Sequence, residues 1–150
     1  TLFRSVGLNS GFMIPQYTTA ALVTENKTLC FPASADSIPT SLGQEDHVSM
    51  GSISGRKLNR VLDNLEYILA IELLSACQAI EFRRPHKSSA LLEYAHDYVR
   101  EFVGFASEDR IFADDINRVA GLIKDFSFVQ KLDAFAASQG IELNKGFEGF

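Results

Sequence analysis

The densest run of groups able to do chemistry is Gln44-Glu45-Asp46-His47, followed by Val48-Ser49-Met50. Three adjacent ionisable residues invite a metal reading. On a helix, however, neighbouring positions point about 100° apart, so Glu45, Asp46 and His47 cannot converge on one ion. None of them has a clear ligand partner three or four residues away, and no metal site is expected. His86 and His96 are isolated and are expected as ordinary surface or core histidines. Gly51-Ser52-Ile53-Ser54-Gly55 has the outline of a nucleophile elbow, but its centre is Ile53 and no strand precedes it. No glycine loop of the phosphate-cradling kind is present. Glu45 remains. At the first turn of a helix, free backbone N–H groups favour a carboxylate, and the bland account of Glu45 is that stabilisation, about 0.3–1 kcal/mol. The functional account is an acceptor for a ligand N–H, or a base if burial raises its pKa. The helix terminus and desolvation act on that pKa in opposite directions. Ser49, one turn on, shares the face of Glu45 and can orient it.

A long helix must carry these groups, from about Gln44 to Arg83. Between Ile68 and Ile80 only Glu72 is charged, and only Ser75 and Gln78 are otherwise polar. A helix apolar nearly all round is buried on all sides, so this one reads as a central rod with its chemistry at the N-terminal end. About forty residues make a rod of roughly 60 Å, longer than a globule of this size, so it must project or be sheathed by other chains. Ser41 with Gln44 has capping-box spacing. Gly51 and Gly55, on one face, suggest a helix crossing tightly there. Arg56, Lys57 and Arg60 read as a solvated or salt-bridged basic face rather than a ligand site. Arg83-Arg84-Pro85-His86 ends the run.

The other segments read as shorter helices. Leu8 to Leu29 carries an apolar face of Phe12, Ile14, Tyr17, Ala20, Ala21 and Leu22, and the helix begins near Pro15 or kinks there. Phe31 to Gly43, rich in Pro and Ser, is expected to be an ordered, functional loop. Ser88 or Ser89 caps a helix to about Val103, with Leu91, Leu92, Ala95, Tyr98, Val99 and Phe102 on one face. Asp114 or Asp115 opens another, facing inward through Ile116, Val119, Ala120 and Ile123. Phe126 to Ala137 is a short last helix, and the tail from Gln139 to Phe150 is weakly patterned. Strand alternation is missing throughout, so the class is all-α, one helical unit spanning 1–150.

The totals agree with one globular domain: 150 residues, 46% hydrophobic and 22% charged. A formal charge of −5 gives nucleic-acid binding no electrostatic support. The apolar run from Ile68 is broken by Glu72 and is too short to span a membrane. Cys30 and Cys77 form no disulfide framework, Cys77 is expected buried, and a reducing cytoplasm is the expected location. The sequence opens on Thr1 and passes at once into patterned residues, which reads as a piece of a longer chain.

Four blocks together resemble the histidine ammonia-lyases, in order and in spacing. They are Gly7-Leu8-Asn9-Ser10-Gly11-Phe12-Met13-Ile14, Glu25-Asn26-Lys27, Pro32-Ala33-Ser34-Ala35-Asp36-Ser37-Ile38-Pro39-Thr40-Ser41 and Gln44-Glu45-Asp46-His47-Val48-Ser49-Met50-Gly51. Glu108-Asp109-Arg110 and Asp115-Ile116 are similar to the same family's C-terminal part. The likeness extends to about residue 137.

That resemblance implies the C-terminal portion of a homotetramer of long helices that converts L-histidine to trans-urocanate and ammonia. It implies a methylidene-imidazolone (MIO) electrophile, made from an Ala-Ser-Gly tripeptide that this sequence lacks. The catalytic tyrosines and the arginine for the substrate carboxylate belong to the same absent half, so the chain alone is expected to be inactive. Glu45 matches the family's active-site glutamate, which contacts the substrate imidazole and has been given an acid/base role. Met13 matches a pocket-lining position, with Gln44 and Ser41 as neighbours. The related phenylalanine and tyrosine lyases carry glutamine where Glu45 stands, which favours histidine: a carboxylate accepts the imidazole N–H but would be desolvated without a partner beside a phenyl ring. Pro15 departs from the family and is expected to affect helix shape only. The alternatives are another aromatic amino-acid ammonia-lyase or aminomutase, or a non-catalytic helical oligomerisation module.

Overall fold

A computed structural model describes residues 10–33, 35, 37–44 and 51–143. Its described residues form five α-helices: α1 (Met13–Leu29), α2 (Gly51–Glu81), α3 (Ala90–Arg100), α4 (Phe112–Lys124) and α5 (Ser127–Ser138), with a short 3-10 turn at Ser41–Gly43. The all-α expectation is met.

Helix α1 starts at Met13 and takes Pro15 in its first turn, where a missing N–H costs no helical bond. It runs antiparallel along α2. Phe12 at its head borders the same groove as Ile71 and Ser75. At its other end Glu25 meets Arg60 at 3.1 Å and the Asn64 amide at 3.0 Å. Helix α4 also runs antiparallel to α2, with Lys124 on Asp63 at 3.2 Å. Helices α3 and α5 close the far end, where Tyr94 stacks on Phe135 at 4.1 Å. The core gathers Ala70, Ile71, Leu74 and Cys77 of α2 with Val99, Val103, Phe112, Ile116 and Val119.

Two local expectations are corrected, the end of α3 and the start of α4. Among the described residues, no neighbour lies within 4 Å of a side chain placed at Gly55, so the tight crossing expected there is not made by this chain's described helices. Ser41 is the first residue of the 3-10 turn, with φ 51°, and the Gln44 amide donates to its backbone carbonyl at 3.1 Å; the start of the helix it was expected to cap lies outside the described residues. Helix α3 ends at Arg100, short of Val103. Helix α4 begins two residues before Asp114, its N-cap the extended Ile111. There the two aspartates sit inside the first turn, where they suit the helix dipole. Asp115 is buried and takes Arg110 Nε at 2.7 Å.

The rod itself is closed on one side only. Asn64, Ala70, Ile71, Leu74, Cys77 and Gln78 are buried against this chain. Leu58, Leu62, Leu65 and Leu69 are between 41% and 57% exposed. Glu72, Ala76 and Ala79 continue the same exposed line toward the C-terminus, and Gly51 and Gly55 toward the N-terminus. Their spacing alternates four and three, the period at which a second helix can lie along the whole seam. At 1.5 Å per residue, a helix of this length reaches about 46 Å.

Candidate functional site

The residues singled out for chemistry fall on two stretches. Glu45, with Asp46, His47, Val48, Ser49 and Met50, lies outside the described residues, as do Ser34, Asp36 and the opening Gly7-Leu8-Asn9. Ser41 and Gln44 lie in the connection that leads to Glu45 and are exposed. Met13 is the first residue of α1 and is 46% exposed. The described residues thus give three open positions on two elements, with no enclosed pocket built around them.

The turn before Glu45 has an unusual backbone. Ser41 (φ 51°), Leu42 (φ 56°) and Gly43 (φ 85°) all adopt left-handed geometry. Gly43 does so at no steric cost, whereas Ser41 and Leu42 each carry strain of about 1–3 kcal/mol, of the kind that clusters at ligand sites and switch regions. The Gly43 amide donates to Thr40 at 3.0 Å, closing the turn. Leu42 projects wholly into solvent.

Met13 is held differently. Helix α1 has no side-chain cap; its N-cap position is Phe12. The chain just ahead of it is gripped by Asp109, whose two carboxylate oxygens accept from the amides of Ser10 and Gly11, each at 2.8 Å. Phe12 then packs on Phe112, ring centroids 4.9 Å apart. Beside this junction opens a cavity of about 520 Å³ walled by Ile14, Pro15, Tyr67, Ile111 and Ile116 among others; Met13 is not in its wall. In the sequence, Glu108-Asp109-Arg110 stands out only through its resemblance to the family. Its structural task appears as a pairing 98 residues apart, with no local signal to disclose it.

Two of the three residues of the basic cluster, Lys57 and Arg60, have partners within the chain. Lys57 donates to the Phe31 carbonyl, and its ammonium lies 5.8 Å from the centre of the Phe31 ring. Arg60 pairs with Glu25, and that guanidinium, followed by the Asn64 amide, holds the Glu25 carboxyl below its ordinary value. The salt-bridged reading holds for Arg60, and Glu25-Asn26 of the resemblance serves to tie α1 to α2 through Asn64. His96 is a core histidine, its Nδ1 3.0 Å from Asp97 and its Nε2 3.0 Å from Glu81. Cys77 is buried, and burial pushes its thiol pKa up. Among the described residues there is no group of three or more potential metal ligands, and no helix long and apolar enough to cross a membrane.

Comparison with known proteins bears on the same residues. The family model described as aromatic amino acid lyase matches residues 1–101. Histidine ammonia-lyase of Desulfotalea psychrophila is 55% identical over 122 residues, which is 81% of this chain and 24% of that protein. The crystal structure of histidine ammonia-lyase from Trypanosoma cruzi superposes with a TM-score of 0.85 at 47% identity, over 89% of this chain and 26% of its own. Tyrosine aminomutase from Streptomyces globisporus follows with a TM-score of 0.82 at 39% identity, over 87% of this chain and 25% of its own. The chain therefore spans about a quarter of the length of the relatives it matches. With the family model covering the greater part of its residues, the chain belongs to the aromatic amino acid lyase family.

Proposed function

We propose that this chain is the part of a histidine ammonia-lyase that supplies the substrate side-chain pocket, in a parent enzyme that eliminates ammonia from L-histidine to give trans-urocanate. The observation that carries the reading is the 55% identity to a histidine ammonia-lyase over four-fifths of the chain, higher than the 39% to a tyrosine aminomutase. Glu45 is the assigned side-chain group. As a carboxylate it accepts the imidazole N–H of the substrate, and with a raised pKa it serves as acid or base. Met13 supplies an apolar wall, and Ser41 and Gln44 border Glu45.

The MIO group supplies the electrophile in this family. The sequence contains no Ala-Ser-Gly, so this chain's residues cannot form it. The role of this chain is to bind and orient the imidazole and to hold a proton at Glu45. On its own the chain is inactive.

The exposed line of Leu58, Leu62, Leu65 and Leu69 supports self-association in the parent, as the homotetramer that the resemblance implies. The assembly is cytoplasmic and takes no nucleic acid or membrane partner.

The test is Glu45→Gln in the complete enzyme, assayed for urocanate formation. Turnover on histidine is expected to fall by at least about a hundredfold, in keeping with loss of a general acid–base group. Near-normal turnover would falsify the role of Glu45. Parallel assays with histidine, phenylalanine and tyrosine decide the substrate; preference for either of the last two moves the parent to another lyase or aminomutase of the family.

A further inference from the structure

From the junction between the start of α1 and the start of α4, we infer that Asp109 is a positioning residue for the substrate pocket, acting through Met13. The inference rests on the reading of Met13 as a pocket wall.

The first turn of a helix has amides with no partner inside the helix, and its ends fray unless something outside holds them. Helix α1 lacks a side-chain cap, and the bond from the Met13 amide to the Ser10 carbonyl is long, at 3.4 Å. The placement of Met13 therefore depends on where Ser10 and Gly11 are fixed. Gly11 has φ 61°, a left-handed conformation that a freely fluctuating chain has little reason to keep. Asp109 fixes both residues at once, one carboxylate oxygen to each amide at 2.8 Å. Bonds from an amide to an ionised carboxylate are among the stronger ones, and two in parallel fix direction as well as distance. The negative charge also faces the positive end of the α1 dipole.

Asp109 is itself firmly mounted. The next residue, Arg110, donates to the Gly104 carbonyl at 2.8 Å, to the Phe105 carbonyl at 3.3 Å and to the buried Asp115 at 2.7 Å. The loop from Gly104 to Ile111 is thereby tied to itself and to the first turn of α4. The contact of Phe12 with Phe112 adds a second point of attachment, one residue before Met13. A rigid mount, a two-pronged grip and a half-exposed Met13 two residues beyond the grip are what setting that side chain in place requires.

The experiment uses the complete enzyme. Asp109→Ala is expected to raise KM for histidine about tenfold while kcat stays within about twofold, the signature of lost ground-state and transition-state binding alike. Asp109→Glu keeps both acceptor oxygens on a longer arm and should fall between Ala and wild type, and it serves in place of Ala if that variant does not fold. Because Asp109 acts through Met13, Asp109→Ala made in a Met13→Ala background should add less than about twofold. A KM within twofold of wild type for both Asp109 variants, or effects at the two positions that simply multiply, overturns the inference. The Met13→Ala enzyme by itself separates the two failures: if its KM is unchanged, it is the pocket reading of Met13 that falls.

Discussion

The two faces of α2 are built from similar residues and end in opposite situations. One presents Ile71, Leu74 and Cys77 to α1, α3 and α4 and is buried. The other presents Leu58, Leu62, Leu65 and Leu69 and stays open along the helix. Side-chain hydrophobicity does not distinguish them. What distinguishes them is register: the closed face also carries Asn64 and Gln78, polar residues that are buried because each is satisfied, Asn64 by Glu25 and Asn26, Gln78 by Ala106. A buried amide with a matched partner specifies one neighbour, whereas a leucine accepts any apolar surface. The closed face thus selects this chain's own helices, and the open face carries no such polar constraint.

That contrast can be broken from either side. On the closed face, Leu74→Ala should destabilise the chain by about 2–5 kcal/mol, through lost burial and the cavity left behind, measured by denaturant unfolding. Gln78→Leu keeps the volume but strands the Ala106 amide and carbonyl; a loss of about 1–3 kcal/mol is expected in the same measurement, and no loss would mean that the amide specifies nothing. On the open face, Leu65→Lys should change the chain's unfolding free energy by no more than about 0.5 kcal/mol. In the parent enzyme the same substitution should shift sedimentation from the assembled state toward smaller species. If it unfolds the single chain instead, the two faces are not distinct.

The smallest effect concerns the joint that follows α2. Glu93 accepts from the Ser88 amide at 2.7 Å and from Arg84 at 2.6 Å, and these two contacts, in that order, hold its carboxyl below the ordinary range. A carboxyl whose folded pKa is depressed adds stability that is present above its unfolded pKa and disappears as pH falls through its folded pKa. Glu93→Gln should therefore be slightly less stable than wild type at neutral pH. The gap should close on acidification, once Glu93 is protonated in the folded chain. Unfolding curves at a series of pH values check it; a gap that persists in acid would assign the loss to geometry rather than charge.

Much of the helical plan was legible locally. Each helix has a counterpart among the expected segments; of the two cap candidates for α3, Ser88 and Ser89, it is the Ser89 hydroxyl that accepts from the Leu92 amide at 3.4 Å, and of the two readings of Pro15, a helix start or a kink, it is the start of α1 that holds. Helix α4 was read to start too late because aspartate is a frequent cap, whereas here Asp115 is occupied by Arg110. Within this chain the all-round burial expected of the rod is met on one side only, because composition reports how much apolar surface must be covered, not which chain covers it. Of the candidate site, Glu45, Met13, Ser41 and Gln44 could be named from a pattern of residues in order, but the left-handed turn at Ser41 and Leu42 has no marker in their side-chain types.

By itself, then, the sequence determined an all-α chain, its helices and their inward stripes, since these follow from spacing along a single backbone. It also carried enough ordered motif to point to a family. Only the tertiary structure decided that Asp109 holds Ser10 and Gly11, that Gln78 holds Ala106, and that α2 leaves its leucine seam open. The physical reason is distance: these pairings join residues far apart in the chain, and their geometry exists only once α1 and α4 have packed against α2.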